Sequence, residues 1–281
     1  MPALVEVEVV RRDLEREVVG RRIKDAEVRP GSNAMKIIKR HGRRKEFQDL
    51  LVGARVEAVE RSGTRLVLDL DTRDALVIDL GPAGRLCKTS SSEQLAAYTH
   101  IVIGFTIGGQ LRLSDPALRG EVFVAPRDGL ETAGDHARPP IDPFKAPVSW
   151  RELSGLLESE KRLMKELLMD DSFICGLGDI YSDEILFAAG LRYDRMSHDL
   201  SSQDVRRLYR SLQEILQEAV KARGTNSPKH EFVDLQGEPG QYQTELKVFE
   251  RLGEACRRCR TPIARASWGP GHTYFCPQCQ S

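Results

Sequence analysis

The chain has 281 residues, of which 40% are hydrophobic and 30% charged, and its 42 lysines and arginines balance 42 acidic residues. That length suffices for two domains plus a small module, and the composition excludes a disordered or fibrous chain. A formal charge of zero excludes a global basic field for nucleic acid, so any basic binding face must be local.

The N-terminus has no hydrophobic targeting region, and no apolar run reaches the roughly 18 residues a membrane span needs. A cytoplasmic protein with no membrane partner is therefore expected. Val5, Val7, Val9 and Val10 lead into Leu14, Val18 and Val19, which step by three and four. This predicts an amphipathic helix from about residue 5 that ends at Gly20. Val56, Ala58 and Val59, a Ser62-Gly63 turn, and alternating Leu66, Leu68 and Leu70 predict two strands over residues 55–71. Residues 75–80 and 100–105 repeat the pattern, and Gly108-Gly109 turns the chain into a further strand at 110–113. Short strands in series predict a β-sandwich or barrel in the first 125 residues or so. Residues 131–147 are polar and rich in proline and glycine, as in a linker.

From Ser149 the period becomes helical. Helices are predicted over 150–158, 161–169, 180–189 and 201–222, the last capped by Ser201 or Ser202 with Asp204 in its first turn. Arginines gather at Arg206, Arg207 and Arg210, and again at Arg257, Arg258, Arg260 and Arg265. Cys175-Gly176-Leu177-Gly178-Asp179 precedes the third helix. Two glycines there predict a tight turn whose N–H groups point outward, a generic anion site; helix packing without a ligand accounts for them equally well. Residues 237–240 form another turn. Cys87 and Cys175 stand alone and read as buried free thiols in a reducing compartment.

The chain closes on Cys256, Cys259, Cys276 and Cys279, a C-x2-C-x16-C-x2-C array. Such spacing places four thiolates around one structural Zn²⁺ on a β-hairpin; two disulfides are the alternative. Metal binding would supply about 10–16 kcal/mol to a module with almost no core of its own. The domains read as 1–130, a linker at 131–148, 149–244 and 245–281.

These pieces occur in a known order. Residues 1–8 (Met-Pro-Ala-Leu-Val-Glu-Val-Glu) are similar to an MPELPEVE start, and residues 79–86 (Asp-Leu-Gly-Pro-Ala-Gly-Arg-Leu) to HLGMSGRL. Ser114-Asp115-Pro116 falls at an N-D-P-R-R loop, residues 176–184 are similar to GVGNIYASE, and residues 237–240 and 273–280 are close to verbatim. End to end, the chain resembles the formamidopyrimidine-DNA glycosylase / endonuclease VIII family. The resemblance implies an α+β multidomain fold: an N-terminal β-sandwich with a flanking helix, a helix-two-turn-helix domain and a C-terminal zinc-ribbon hairpin. It also implies double-stranded, damaged or abasic DNA as partner, a monomer, and a place at the nucleoid. In the family the Pro2 amine attacks C1′ of a flipped nucleotide, forms a Schiff base and eliminates the 3′ phosphate.

The departures fall on the implied site. Ala3 replaces the family's acid, Val5 replaces a proline, and Glu6 is the candidate surrogate acid. Thr64 replaces a turn lysine, with Arg65 expected on the opposite face. Ala117 and Leu118 replace two arginines, Leu118 being a candidate wedge; Tyr98 replaces the first histidine of an H-x-H strand entry that ends at His100. Asp179 replaces the turn asparagine, and Gly271 replaces the ribbon's tip arginine. Lys161, Lys165, Asp179, Arg265 and His272 are the candidate DNA-facing positions. The expected function is a base-excision-repair-type DNA glycosylase/AP lyase with an altered site, acting on abasic or labile nucleotides. A conventional bifunctional enzyme on oxidised bases and a non-catalytic DNA- or partner-binding protein are the alternatives.

Overall fold

The computed structural model describes residues 3–30, 33–130, 141–145, 147–227 and 231–281. The chain divides into two compact units, Met1–Asp135 with Arg223–Gln241, and His136–Ala222 with Tyr242–Ser281.

The first unit starts with helix α1 (Leu4–Val18), followed by strand β1 (Ile23–Val28) and the short helices α2 (Ala34–Ile37) and α3 (Arg44–Leu51). Seven strands follow: β2 (Val56–Ser62), β3 (Arg65–Leu70), β4 (Asp74–Asp79), β5 (Arg85–Thr89), β6 (Thr99–Phe105), β7 (Gln110–Ser114) and β8 (Glu121–Pro126). They form two antiparallel sheets of four strands, ordered β1-β6-β7-β5 and β2-β3-β4-β8. This is the sandwich rather than the barrel. Helix α1 packs on β2 and β3, and α3 on β1 and β8.

Helix α1 is buried far beyond an amphipathic stripe, because Glu6, Glu8 and Asp13 lie inside along with its valines. Each acid has its own partner. Glu8 binds Arg11, Arg12 and Arg61. Asp13, fully buried, takes Arg16 and Arg223. Arg223 also donates to Asp234 Oδ2 at 2.9 Å through Nε. Residues 223–241, which the sequence places with the helices they follow, thus belong to the first unit. Lys88 N–H donates to the carbonyl of Leu235 at 2.7 Å, fixing this returning segment to β5.

The second unit holds α4 (Trp150–Ser159), α5 (Met164–Leu168), α6 (Gly178–Ala189), α7 (Ser202–Lys221) and the hairpin β9 (Ala264–Trp268) and β10 (Gly271–Phe275). Capping boxes start α4 at Ser149 and α7 at Ser201, the latter with Asp204 as read from sequence. Helix α6 ends on Gly190 at φ 71°, with Leu191 N–H reaching back to the carbonyl of Leu186. Helix α5 is shorter than the expected 161–169. Leu163 forms a β-bridge with Met196, and Met164 N–H donates to the carbonyl of Arg195 at 2.8 Å. The run that precedes it is therefore extended. Cys175 is buried as expected, whereas Cys87 is only half-buried, on an outer strand of its sheet. Among the described residues no helix is long and apolar enough to cross a membrane.

Candidate functional site

At the start of α1, Ala3 occupies the N-cap position with extended backbone (φ −70°, ψ 170°), and no side chain caps the helix. A carboxylate is therefore absent at position 3. Pro2 lies outside the described residues. Glu6, in the first turn, is 5% exposed, and its Oε1 accepts the Thr225 N–H at 2.9 Å. Gly224 lets this happen: at φ +83° it brings the backbone so close that a Cβ would lie 3.1 Å from Glu6 Oε1. Glu6 thereby anchors the helix start to the returning segment. One of its two carboxylate oxygens is thus held by backbone.

The β2–β3 hairpin carries the second altered position. Ser62 pairs with Arg65, leaving Gly63 and Thr64 as its two-residue tip. Thr64 brings no charge there. Arg65 lies within 3.5 Å of Asp79 Oδ2, and Arg61 is buried, donating to Glu8 at 3.1 Å and to the Gly63 carbonyl at 2.7 Å. Both nearby guanidiniums are thus engaged by residues of the first unit.

The loop at 115–120 is organised by a residue whose role the sequence motif alone did not reveal. Asp115 is fully buried; its carboxylate accepts N–H groups from Ala117 at 3.0 Å, Arg119 at 2.8 Å and Gly120 at 2.7 Å. This nest forces Leu118 to φ +54°. Leu118 is half-buried, while Ala117 and Arg119 are exposed. The Tyr98 carbonyl accepts the Asp115 N–H at 3.1 Å, and His100 Nε2 contacts the Asp115 carbonyl at 2.9 Å. Tyr98 itself is left-handed at φ +58° and 64% exposed. An exposed aromatic held in a conformation that costs about 1–3 kcal/mol is fixed by its surroundings rather than by local preference.

In the second unit Lys165 is fully buried. Its Nζ donates to Asp183 Oδ1 and Ser182 Oγ, both at 2.7 Å, and to the Asp179 carbonyl at 3.0 Å. This corrects the DNA-facing expectation: the ammonium has spent its three donors inside. Asp183 stands where GVGNIYASE has serine, and it also accepts from Thr273 Oγ1 at 2.5 Å and from Tyr274 N–H at 2.8 Å. Neighbouring Glu184 accepts from the N–H groups of Lys247, Val248 and Phe249, each at 2.9 Å. Burial pushes both carboxyls up from their ordinary range, against the pull of these donors.

The glycine turn is also less open than expected. Gly176 and Gly178 are left-handed at φ +63°, yet Gly176 N–H donates to Asp171 Oδ1 at 2.9 Å and Cys175 N–H to the Ile141 carbonyl at 3.1 Å. Asp179 is half-buried in the first turn of α6, and its Oδ1 accepts the Ile180 N–H at 3.0 Å. Lys161 is exposed in the extended run before α5.

The four cysteine sulfurs lie within 4.8 Å of one another, with Cys256–Cys279 at 3.9 Å and Cys259–Cys276 at 3.4 Å. Tetrahedral Zn–S bonds of about 2.3 Å imply edges near 3.8 Å, so the donor set fits one structural zinc. All four cysteines are free of disulfides. On the hairpin, His272 pairs with Ser267 and Tyr274 with Arg265, which puts exposed Arg265 and His272 on one face as diagonal neighbours. Arg258 instead caps α6, donating to the Phe187 carbonyl at 2.9 Å.

Three family profiles match in succession: the formamidopyrimidine-DNA glycosylase N-terminal domain over residues 1–122, its H2TH domain over 140–230, and the zinc finger found in FPG and IleRS over 253–281. A formamidopyrimidine-DNA glycosylase of Geobacillus kaustophilus is 36% identical over 286 residues, covering 100% of both chains. One of Pelotomaculum thermopropionicum is 32% identical over 280 residues, covering 100% of this chain and 99% of that one. Among solved structures, the Lactococcus lactis Fpg in complex with abasic-site DNA superposes with a TM-score of 0.84 at 25% identity, covering 99% of each chain. The MutM (Fpg) protein of Thermus thermophilus gives 0.82 at 29% identity, covering 99% of this chain and 98% of that one.

Proposed function

The chain belongs to the formamidopyrimidine-DNA glycosylase family, and from that premise we propose that it acts in base-excision repair on abasic or readily lost damaged nucleotides of duplex DNA, through the amine of Pro2. The observation that carries the reading is Ala3 at the head of α1, where no carboxylate stands to protonate a departing base. Losing a general acid costs about 10²–10⁴ in rate. An abasic sugar has no base left to protonate, so the amine alone suffices. Removal of Met1 frees that amine, whose ordinary pKa of about 7.7–8 leaves part of it neutral. The nitrogen adds to C1′ of the ring-opened aldehyde, the oxygen departs as water, and an iminium remains.

The other residues take supporting parts. Glu6 positions the helix start through Thr225. Lys161, Arg265 and His272, all exposed, are assigned to DNA phosphates, and Lys165 is not. Asp179 places a carboxylate where the resembling motif has an amide donor, so it opposes a phosphate rather than binding one. The zinc supplies the shape of the ribbon and no chemistry of the reaction. The protein is assigned to act as a monomer, in the cytoplasm at the nucleoid.

Borohydride trapping tests this reading. Hydride delivered to the iminium carbon should cross-link the protein to abasic duplex, and acetylating the Pro2 amine should abolish the cross-link while leaving the fold intact. Protein with a verified Pro2 terminus that binds abasic DNA yet never cross-links would refute the reading and leave a binding protein. Efficient excision of an oxidised purine would refute it in favour of a conventional bifunctional enzyme.

A further inference from the structure

A second surface of the first unit takes no part in that chemistry. A pocket of about 480 Å³ opens beside the end of α1, lined by Arg21, Arg22 and Arg55 together with Val19, Thr106 and Ile107. Its size falls within the range of about 300–1,000 Å³ typical of ligand sites. Arg21 is held in the wall, while Arg22 and Arg55 are about half exposed. Arg21 Nη1 donates to the Ile107 carbonyl at 3.0 Å, and a Cβ at Gly108 (φ +96°) would fall 1.2 Å from that nitrogen, so the glycine is what lets the guanidinium lie there. Arg22 grips the Gly53 carbonyl through Nη1. A β-bridge between Arg22 and Arg55 brings these two residues side by side.

Their charge is only partly answered. Asp71 is shared at long range, 3.9 Å from Arg22 and 4.0 Å from Arg55, and one of its oxygens accepts the Arg55 N–H. Glu17 lies 3.8 Å from Arg21 but is already bound by Lys88. Among the described residues no carboxylate lines the pocket itself. Apolar side chains stand open at the same place: Ile107 is 80% exposed and Val19 is 40% exposed. An exposed isoleucine next to clustered guanidiniums suits a ligand that is anionic and apolar at once.

We propose that this pocket docks a short acidic peptide segment of a partner protein, with a bulky apolar side chain against Val19 and Ile107 and carboxylates on Arg22 and Arg55. Nucleic acid fits less well. A phosphate backbone offers no apolar group to Ile107. Arginine matches a carboxylate with paired donors, and the apolar contact supplies the selectivity against plain anions.

The test uses the full-length, zinc-loaded protein and a fluorescein-labelled peptide, Glu-Asp-Leu-Phe-Asp-Glu-Gly, read by fluorescence anisotropy. Saturable binding with Kd on the order of 10 µM is expected. Arg55→Glu and Ile107→Ser should each weaken it by about tenfold or more. Both variants should melt like the parent and keep its affinity for abasic duplex. Several outcomes would overturn the proposal: no saturation by about 1 mM peptide, equal binding of the lysine-substituted peptide, or an Ile107→Ser variant that binds like the parent. Undamaged duplex that displaces the peptide, with DNA affinity lowered by Arg55→Glu, would assign the pocket to nucleic acid and overturn it too.

Discussion

Replacing Lys165 by methionine keeps the side-chain volume and removes the charge. Asp183, whose side chain is fully buried, would lose its 2.7 Å partner and keep only Thr273 Oγ1 and the Tyr274 N–H. Breaking a buried pair from one side costs about 3–5 kcal/mol, because the other charge is left uncompensated. At about 2–4 °C per kcal/mol, the melting temperature should fall by about 6–20 °C. The loss should also depend on pH. Burial raises the Asp183 carboxyl and Lys165 opposes that rise, so deleting the lysine raises it further. A carboxyl whose folded pKa exceeds its unfolded value favours the folded state at low pH, and that favour is lost as pH climbs through the folded pKa. The deficit of Lys165→Met should therefore be smallest at or below the ordinary carboxylate range and grow as pH rises above it. Adding Asp183→Asn should recover most of the stability and flatten the pH response. Urea unfolding followed by tryptophan fluorescence is the direct assay, since Trp150 and Trp268, the only two tryptophans, both lie in the second unit. A deficit below about 1 kcal/mol, or one independent of pH, would refute the argument that the pair is buried and mutually dependent.

Three further outcomes are expected. Ala3→Glu combined with Thr64→Lys should raise base release from oxidised-purine duplex by about 10²–10⁴, measured by single-turnover kinetics, with abasic cross-linking still present; no gain would show that these positions are not what limits excision. Stripping the zinc with a chelator, or Cys276→Ala, should unfold the ribbon and lower DNA affinity at least about 100-fold, since metal binding supplies about 10–16 kcal/mol to such modules; filter binding before and after adding zinc back checks it. Asp170, partly buried but hydrogen-bonded by Ser172 and Arg162, has its carboxyl lowered to about 2. Its stabilising contribution is complete above the ordinary carboxylate pKa and is lost as pH falls toward about 2, so Asp170→Asn should flatten that part of the acid-unfolding curve.

The sequence made some features legible because their chemistry is local. The paired cysteines, the Ser201–Asp204 cap of α7 and the 55–71 hairpin each depend on residues a few positions apart; the first two formed as read, and the hairpin formed with its turn one residue later, at Gly63-Thr64. Strand β1 was hidden by Lys24, Asp25 and Glu27, which face outward between Ile23, Ala26 and Val28. Strand β8 presents an apolar run too short to separate a strand from a buried helix by period alone. The site was hardest to read where a charge found a partner far along the chain. Lys165 read as DNA-facing until Asp183 appeared beside it, and Thr225, over 200 residues away, holds one oxygen of Glu6. No periodicity reports such pairings, because they are set by tertiary packing.

The return of residues 223–241 to the first unit has a consequence for the order of events on the ribosome. Glu6 and Asp13 on α1 find Thr225 and Arg223 only after the whole helical segment has been made. At about 5–20 residues per second, roughly 10–40 s separate the emergence of α1 from that of its buried partners. Throughout that interval two of its inward-facing acids lack their final contacts. Helix α1 is thus locked late, when the zinc ribbon is the last segment left to be translated.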